Sequence, residues 1–233
     1  DGLNKTSELL AKQADAGAKE VTVTSHVVDL SELDSLEEKI TDIFQDLIST
    51  NNNQTLYERA ILINNAGSID PIGKSSQLTS LQTLRACNDL NVTSSIWLSS
   101  YFIRHFSQNH GIQSTTVVNI SSLCAIQPFK TLGVYCAGKA YRDMFHETMA
   151  VEEEEGVKIL NYAPGAIETN MTRTIMESEN TDNEVGENLK KMRDEKTYVK
   201  LSDTAQKLVN LVMSNNFQSG KHVDYWDEDP ECS

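Results

Sequence analysis

Hydrophobic positions change period repeatedly along the chain. Residues 3–15 place Leu3, Leu9, Leu10 and Ala14 on a weak helical stripe, and residues 20–30 alternate through Val21, Val23, Val27 and Val28, which predicts a strand. Ser31 opens a capping signature, after which Leu33, Leu36, Ile40, Ile43, Phe44 and Leu47 recur at helical spacing. A polar loop covers 49–55. Residues 60–63 form a short continuous apolar run closed by Asn64-Asn65-Ala66-Gly67, the pattern of a parallel strand buried on both faces. Further along, the pattern predicts helices over 78–106, 134–155 and 201–214. It predicts strands over 115–120, 157–162 and 220–225. The stretch 166–200 is polar and charged with a weak helical pattern, and is expected to include a mobile flap over the site.

Strands alternating with helices, without an internal repeat or a linker, imply one α/β domain over residues 1–233. It would be a three-layer, doubly wound parallel sheet with helices on both faces. Ligands of such sheets bind beyond the carboxyl ends of the strands. The positions after Ile63, Ile120 and Tyr162 therefore carry the functional information.

Composition narrows the function. The 20 Lys and Arg against 34 Asp and Glu leave a formal charge of −14, which argues against nucleic acid or an anionic membrane surface, though not against a local basic pocket. Glu177, Glu179, Asp182, Glu184 and Glu187 likewise argue against a phosphate-bearing substrate near that stretch, and the acidic run 152–155 reads as a solvated helix end. The four cysteines, Cys87, Cys124, Cys136 and Cys232, form no CxxC and have no His at metal spacing, so they read as reduced thiols of a cytoplasmic protein without a metal. Cys136 adjoins Tyr135 but on a different helix face, and is read as a plain thiol. No apolar run approaches the ~20 residues that span a bilayer.

The strongest chemical constellation is Ser122, Tyr135 and Lys139. Tyr135 and Lys139 share a helix face at i and i+4, and Ser122 follows a strand end. An adjacent ammonium favours phenolate and is expected to lower the tyrosine pKa from its ordinary value of about 10. Such a tyrosine can give a proton to a developing alkoxide, while a serine hydroxyl holds the carbonyl oxygen.

These residues, with Asp29-Leu30, Asn64-Asn65-Ala66-Gly67, Asn91 in a long helix, Tyr135-Cys136-Ala137-Gly138-Lys139 and Pro164-Gly165 with Thr169, follow one another in the order and spacing of a known family. The chain resembles the short-chain dehydrogenase/reductases, with their Rossmann-type sheet. Residues 118–130, residues 160–165 and the tail Ser219-Gly220-Lys221-His222-Val223-Asp224 most resemble the pterin-reducing branch of that family.

The resemblance implies an NADPH-dependent reduction of a pterin side-chain ketone, yielding tetrahydrobiopterin or dihydrobiopterin. Tyr135 would be the general acid, Lys139 would tune it and bond the nicotinamide ribose, Ser122 would position the carbonyl, and Asn91 would hold a water of the proton relay. Asp29 and Leu30 would meet the adenine. Asn64, Asn65, Ala66, Gly67, Pro164, Ile167, Glu168, Thr169, Asn170, Met171 and Thr172 would line the cofactor. Leu123 and Gly165 would border the substrate with Ser122 and Tyr135, and Asp224 would anchor the pterin, since a carboxylate can accept two parallel N–H bonds.

A homodimer through the two long helices is also implied. The family's Gly-rich pyrophosphate turn and its first strands have no counterpart here, so the domain is expected to be N-terminally incomplete, and NADP is implied by the resemblance alone. A reductase of dicarbonyls or other aromatic ketones, and an inactive reductase-like fragment acting through protein contacts, are the alternatives.

Overall fold

Apolar runs rich in β-branched residues become the strands, and each is closed by residues that cannot continue it. In a computed structural model, residues 22–49, 57–107 and 112–228 are described. They fall into two units, 1–52 and 53–233.

In the first unit, α1 (Leu33–Ser49) buries Leu36, Ile40 and Phe44, one stripe at helical spacing. The strand expected over 20–30 is not formed at residues 22–29, which carry no regular structure and leave Val27 88% exposed. Alternation supplies a face, but a strand also needs a neighbouring strand for its backbone groups, and these residues are not part of the sheet. The helix expected over 3–15 lies outside the described residues.

The second unit holds a four-stranded parallel sheet in the order β1 (Arg59–Asn64), β2 (Ser114–Ile120), β3 (Val157–Ala163), β4 (His222–Asp224). The register sets Asn64 beside Asn119, Asn119 beside Asn161, and Asn161 beside His222, so one row of polar residues crosses the sheet. Between β1 and β2 run α2 (Leu81–Asn88) and α3 (Ser94–Phe106). They are joined by one turn of π-helix at Asp89–Thr93. The helix expected from 78 starts at Leu81 because the Ser80 side chain accepts from the N–H of Thr83 and caps it.

The remaining crossovers are α4 (Gly133–Glu152), then α5 (Asn170–Glu177), α6 (Asn183–Asp194) and α7 (Leu201–Ser214). The weakly patterned stretch 166–200 is thus two ordered helices.

Successive side chains of a strand point to opposite faces. Val118, Leu160 and Tyr162 pack with Leu211 and Val212 of α7 and with Val223. Their neighbours Asn119 and Asn161 turn the other way and hydrogen-bond Asp143 of α4. Helices therefore cover both faces, giving the three layers expected. At the carboxyl ends, Asn64, Ile120, Ala163 and Asp224 release the chain into the loops that build the site.

Candidate active site

Ser122, the second residue past the end of β2, lies in fully extended backbone and caps a short 3₁₀ turn, Leu123–Ala125. Its Oγ accepts the N–H of Cys124 at 3.1 Å, which leaves the Ser122 O–H to donate. Tyr135 sits in the first turn of α4, half-buried, and Ser122 is among the groups that act on its phenol. One turn later, buried Lys139 donates from Nζ to the carbonyl of Ile120 at 2.5 Å and lies 5.5 Å from the centre of the Tyr135 ring. The sequence-predicted triad is therefore assembled.

Its electrostatics differ from expectation. Burial pushes the Tyr135 phenol up to about 12, with Cys124 adding to the rise, and pulls Lys139 down to about 7. The cation that favours Tyr135 phenolate is Arg142, and that same charge lowers Lys139 further. Lys139 does not depress the tyrosine here. Desolvation outweighs it, and the phenol holds its proton at neutral pH.

Arg142 was not anticipated. It is fully buried on α4, donating from Nε to Asn119 Oδ1 at 2.7 Å and from Nη2 to the Asn64 carbonyl at 2.9 Å. Its Nη1 reaches the carbonyls of Ala66 and Asn91 at 3.5 and 3.4 Å. One guanidinium fork thus ties the 64–67 loop, the π-helical turn and β2 together. Burial lowers its pKa to about 10, which leaves it charged at neutral pH. The signal was present in the sequence: Tyr135, Lys139, Arg142 and His146 follow at i, i+4, i+7 and i+11, a polar stripe on one helix face.

His146, held neutral by burial with a pKa of about 4, donates from Nδ1 to the Arg142 carbonyl at 2.7 Å. Its Nε2 then accepts from Ser99 Oγ at 2.8 Å, a tautomer assigned from the partners. Ser99 in turn receives Asn64 Nδ2 at 2.7 Å.

Asn91 faces inward from the π-helical turn, a local widening frequent at functional sites. Its amide bonds Ser68 twice, accepting from the N–H at 2.8 Å and donating to the carbonyl at 2.9 Å. The partners of Asn91 are thus the loop after β1 and Cys87 Sγ, which accepts from Nδ2 at 3.2 Å. Within that loop Asn64 is buried, while Asn65, Ala66 and Gly67 are exposed, and a Cβ on Gly67 would stand 3.1 Å from Asn91 Oδ1. The bare backbone here leaves room for close approach.

Gly165 has φ +75 and faces Val199. Thr169 caps α5 in a reciprocal pair with Thr172, whose Oγ1 also donates to the Ile167 carbonyl at 3.3 Å. Glu168 and Asn170 are exposed around this cap. Met171 packs on the cluster of Ile69, Leu132 and Ile175 that also receives Tyr135, so α5 comes to the tyrosine side of α4.

Asp224 closes β4 beside Ala163. Its Oδ1 accepts the Trp226 N–H at 3.0 Å. Asp29 and Leu30 lie in the other unit, where Asp29 Oδ1 accepts the N–H and Oγ of Ser31 at 2.9 and 2.7 Å, the ordinary bonds of a turn before a helix. Those bonds hold its carboxyl below the usual range.

Beneath the site lies a second unanticipated network. Asp143 accepts Ser121 Oγ at 2.8 Å, Asn119 Nδ2 at 2.9 Å and His222 Nδ1 at 2.6 Å. Among the described residues no three His, Cys, Asp or Glu side chains gather as a metal site, and no helix is long and apolar enough to cross a membrane.

The chain is 44% identical over 173 residues to the sepiapterin reductase of Rattus norvegicus, a match covering 73% of this chain and 64% of that protein. It is 34% identical over 163 residues to a benzil reductase ((S)-benzoin forming) of Bacillus subtilis, covering 69% and 64%. The chain thus spans about 64% of the length of these curated relatives. The crystal structure of the KRED1-Pglu enzyme shares the fold, with a TM-score of 0.73 at 18% identity over 93% of this chain and 83% of that one. Residues 3–180 match the short chain dehydrogenase family model. With the serine, tyrosine and lysine assembled at the carboxyl end of a parallel sheet, the chain belongs to the short chain dehydrogenase family.

Proposed function

We propose that this chain carries the catalytic part of an NADPH-dependent carbonyl reductase whose substrate is the side-chain ketone of a pterin. The observation that carries the reading is the Ser122–Tyr135 pair. Ser122 Oγ accepts the Cys124 N–H, which leaves its own O–H to donate, beside a phenol that burial keeps protonated. Two O–H donors converging on one oxygen polarise a carbonyl and stabilise the alkoxide that develops on it.

The residues present suit a nicotinamide cofactor. The exposed backbone at Asn65–Gly67, the buried ammonium of Lys139 and the capped turn Ile167–Thr172 lie around the tyrosine side of the sheet end. Asn64–Gly67, Tyr135, Lys139, Pro164 and Ile167–Thr172 would hold it. When bound, NADPH supplies the hydride to the carbonyl carbon. Tyr135 gives its phenolic proton to the oxygen, and the buried Arg142 charge offsets part of the cost of the phenolate left behind. Lys139 fixes the Tyr135 side of the helix through the Ile120 carbonyl. Asp224, with Oδ2 unused by Trp226, accepts the amino edge of the pterin, and Leu123 and Gly165 border it. The likeness to sepiapterin reductases supports the pterin.

The test is NADPH binding by the 233-residue chain, followed by turnover of a pterin ketone and of a simple diketone. Tyr135→Phe should keep cofactor binding and lose about 10²–10⁴-fold in turnover. Asp224→Asn should raise KM for the pterin and leave the diketone unchanged. Unaltered pterin turnover in Asp224→Asn removes the pterin assignment. The likeness to a benzil reductase supports the second reading, a dicarbonyl or aromatic ketone reductase, which equal turnover of the two substrates would favour.

The same proposal holds that the protein is a cytoplasmic homodimer pairing through α3 and α4, whose Tyr141 and Met144 are 55% and 62% exposed. Sedimentation at a single monomeric mass would overturn it.

A further inference from the structure

Two strand ends carry the two groups proposed to hold the substrate, and one buried carboxylate joins them. Ser121 precedes Ser122, and His222 stands two residues before Asp224. Asp143 Oδ2 accepts from both, Ser121 Oγ at 2.8 Å and His222 Nδ1 at 2.6 Å. Its Oδ1 accepts Asn119 Nδ2 at 2.9 Å, so both oxygens are committed to the sheet. Hydrogen bonds to a carboxylate are among the strong ones. Only β3 separates β2 from β4, so the carboxylate bridges two inter-strand steps, roughly 10 Å. Asn161 fills the step between, donating from Nδ2 to the carbonyls of Asp143 and Gly220 at 3.2 and 3.0 Å.

β4 has reason to need this tie. It is three residues long and pairs, among the described residues, with β3 only. Alternation places Asp224 on the face that His222 turns to α4. Beyond it the chain folds into a turn, in which Asp227 Oδ2 accepts the Asp224 N–H at 2.8 Å and Asp224 Oδ1 accepts the Trp226 N–H at 3.0 Å. Asp224 therefore moves with the end of β4, and His222 is the side chain that bonds that end to the helix under the site.

We propose that Asp143 and His222 are positioning residues that fix the separation of Ser122 from Asp224, and so select a substrate by the span between its carbonyl and its hydrogen-bonding edge. This rests on the pterin reading above. The ketone oxygen lies at Ser122 and Tyr135, and the amino edge lies at Asp224. A fused two-ring heterocycle is rigid, so a displaced Asp224 cannot be followed without moving the carbonyl off the two hydroxyls. A small diketone meets only the Ser122 end and is indifferent to where Asp224 stands.

The test compares the 233-residue chain with His222→Leu, which removes the donor, and His222→Asn, whose amide nitrogen stands where Nδ1 stood. Acetylpterin binding is followed by quenching of the pterin fluorescence, without and with NADPH, and turnover is measured for acetylpterin and for diacetyl. His222→Leu should weaken acetylpterin binding and raise its KM by about 10-fold, leaving diacetyl turnover as in the parent. His222→Asn should restore pterin binding. In an Asp224→Asn background, His222→Leu should add no further loss, because the group it positions is already gone. Unchanged pterin binding in His222→Leu, an undiminished loss in the Asp224→Asn background, or an equal loss for diacetyl overturns the positioning role. If Asp224→Asn binds acetylpterin as the parent does, or the parent does not bind it, the pterin reading falls and this inference with it. A loss in Asp224→Asn that His222→Leu does not share removes this inference alone. Circular dichroism checks each fold, and His222→Gln, which moves the amide away from the Nδ1 position, replaces His222→Leu should leucine prevent folding.

Discussion

Asp143 and His222, from the middle of α4 and the start of β4, meet at 2.6 Å between Oδ2 and Nδ1. The same carboxylate oxygen takes Ser121 Oγ, the residue before Ser122, so the last strand is bonded through one carboxylate to the strand end that carries the site. Asp143 raises the His222 pKa first through this hydrogen bond, and Asp224 and Asp227 add to it against burial. A histidine raised on folding contributes stability that is complete below the unfolded value of about 6.5 and is lost as pH rises through the folded value. His222→Gln should therefore cost most near pH 6, about 1.5–3 kcal/mol, and less near pH 9. Urea unfolding of both proteins at the two pH values measures it, and a penalty that grows with pH would contradict the pairing.

Lys139 and Tyr135 give the opposite slopes. Lys139 has a folded pKa of about 7 against an unfolded value of about 10.4, so between these the unfolded chain binds the extra proton and stability rises with pH. Tyr135, at about 12 in the fold and about 10 unfolded, keeps its proton only when folded over that window, so its contribution falls there. Lys139→Met should flatten the rise between pH 7 and 9.5. Tyr135→Phe should leave that rise in place and remove part of the decline above pH 10. Denaturant midpoints across pH 7–11 compare the three proteins, and a wild-type rise shared unchanged by Lys139→Met would place the titration elsewhere.

The Ser122, Tyr135 and Lys139 cluster was legible because its residues announce themselves locally: a serine at a strand end, and a tyrosine and lysine one turn apart. The three long strands were legible for the same reason, since a run such as Ile61-Leu62-Ile63 followed by Asn-Asn-Ala-Gly needs no distant partner to be recognised. What escaped depends on neighbours far along the chain. The Asp143–His222 pair and the reach of Arg142 to Asn64, Ala66 and Asn119 come from strand register and crossover, which a linear pattern does not encode. The phenol's upward shift was misjudged because i, i+4 spacing specifies which charges are near, but not how much water is lost. At residues 22–29 alternation was read as a strand, yet only a partner edge turns alternation into one.

Asn91 tests how the loop after β1 is held. Its amide accepts from and donates to the backbone of Ser68, and Nδ2 donates also to Cys87 Sγ at 3.2 Å. Asn91→Asp keeps the acceptor and replaces the donor by oxygen facing the Ser68 carbonyl, whereas Asn91→Leu removes both bonds. Each should cost about 1–3 kcal/mol, because the loop backbone is left with an unmade buried bond. Hydrogen exchange at the Ser68 amide should accelerate in Asn91→Leu and stay slower in Asn91→Asp. Equal exchange in both variants would show that another group protects the amide.

Gly165 separates backbone strain from steric contact. Its φ of +75 lies in the left-handed region, and a Cβ there would stand 2.7 Å from Val199 Cγ2 and 3.6 Å from Tyr225 Cβ. Gly165→Ala therefore meets two costs: about 1–2 kcal/mol for an L side chain in that conformation, and a further clash against a buried valine. Val199→Ala removes the methyl that collides but cannot change φ. The double variant should recover only the steric part, giving a favourable coupling of about 0.5–2 kcal/mol relative to the sum of the singles. Thermal or urea unfolding of the four proteins closes the cycle. Zero coupling would mean that the chain around Ala166 and Val199, joined by their backbone bond at 2.8 Å, shifts to admit the methyl. Full recovery would mean that φ at this turn relaxes once the contact is gone. The residual cost after Val199→Ala thus measures how firmly the chain past β3 is held in the left-handed conformation that Gly165 adopts.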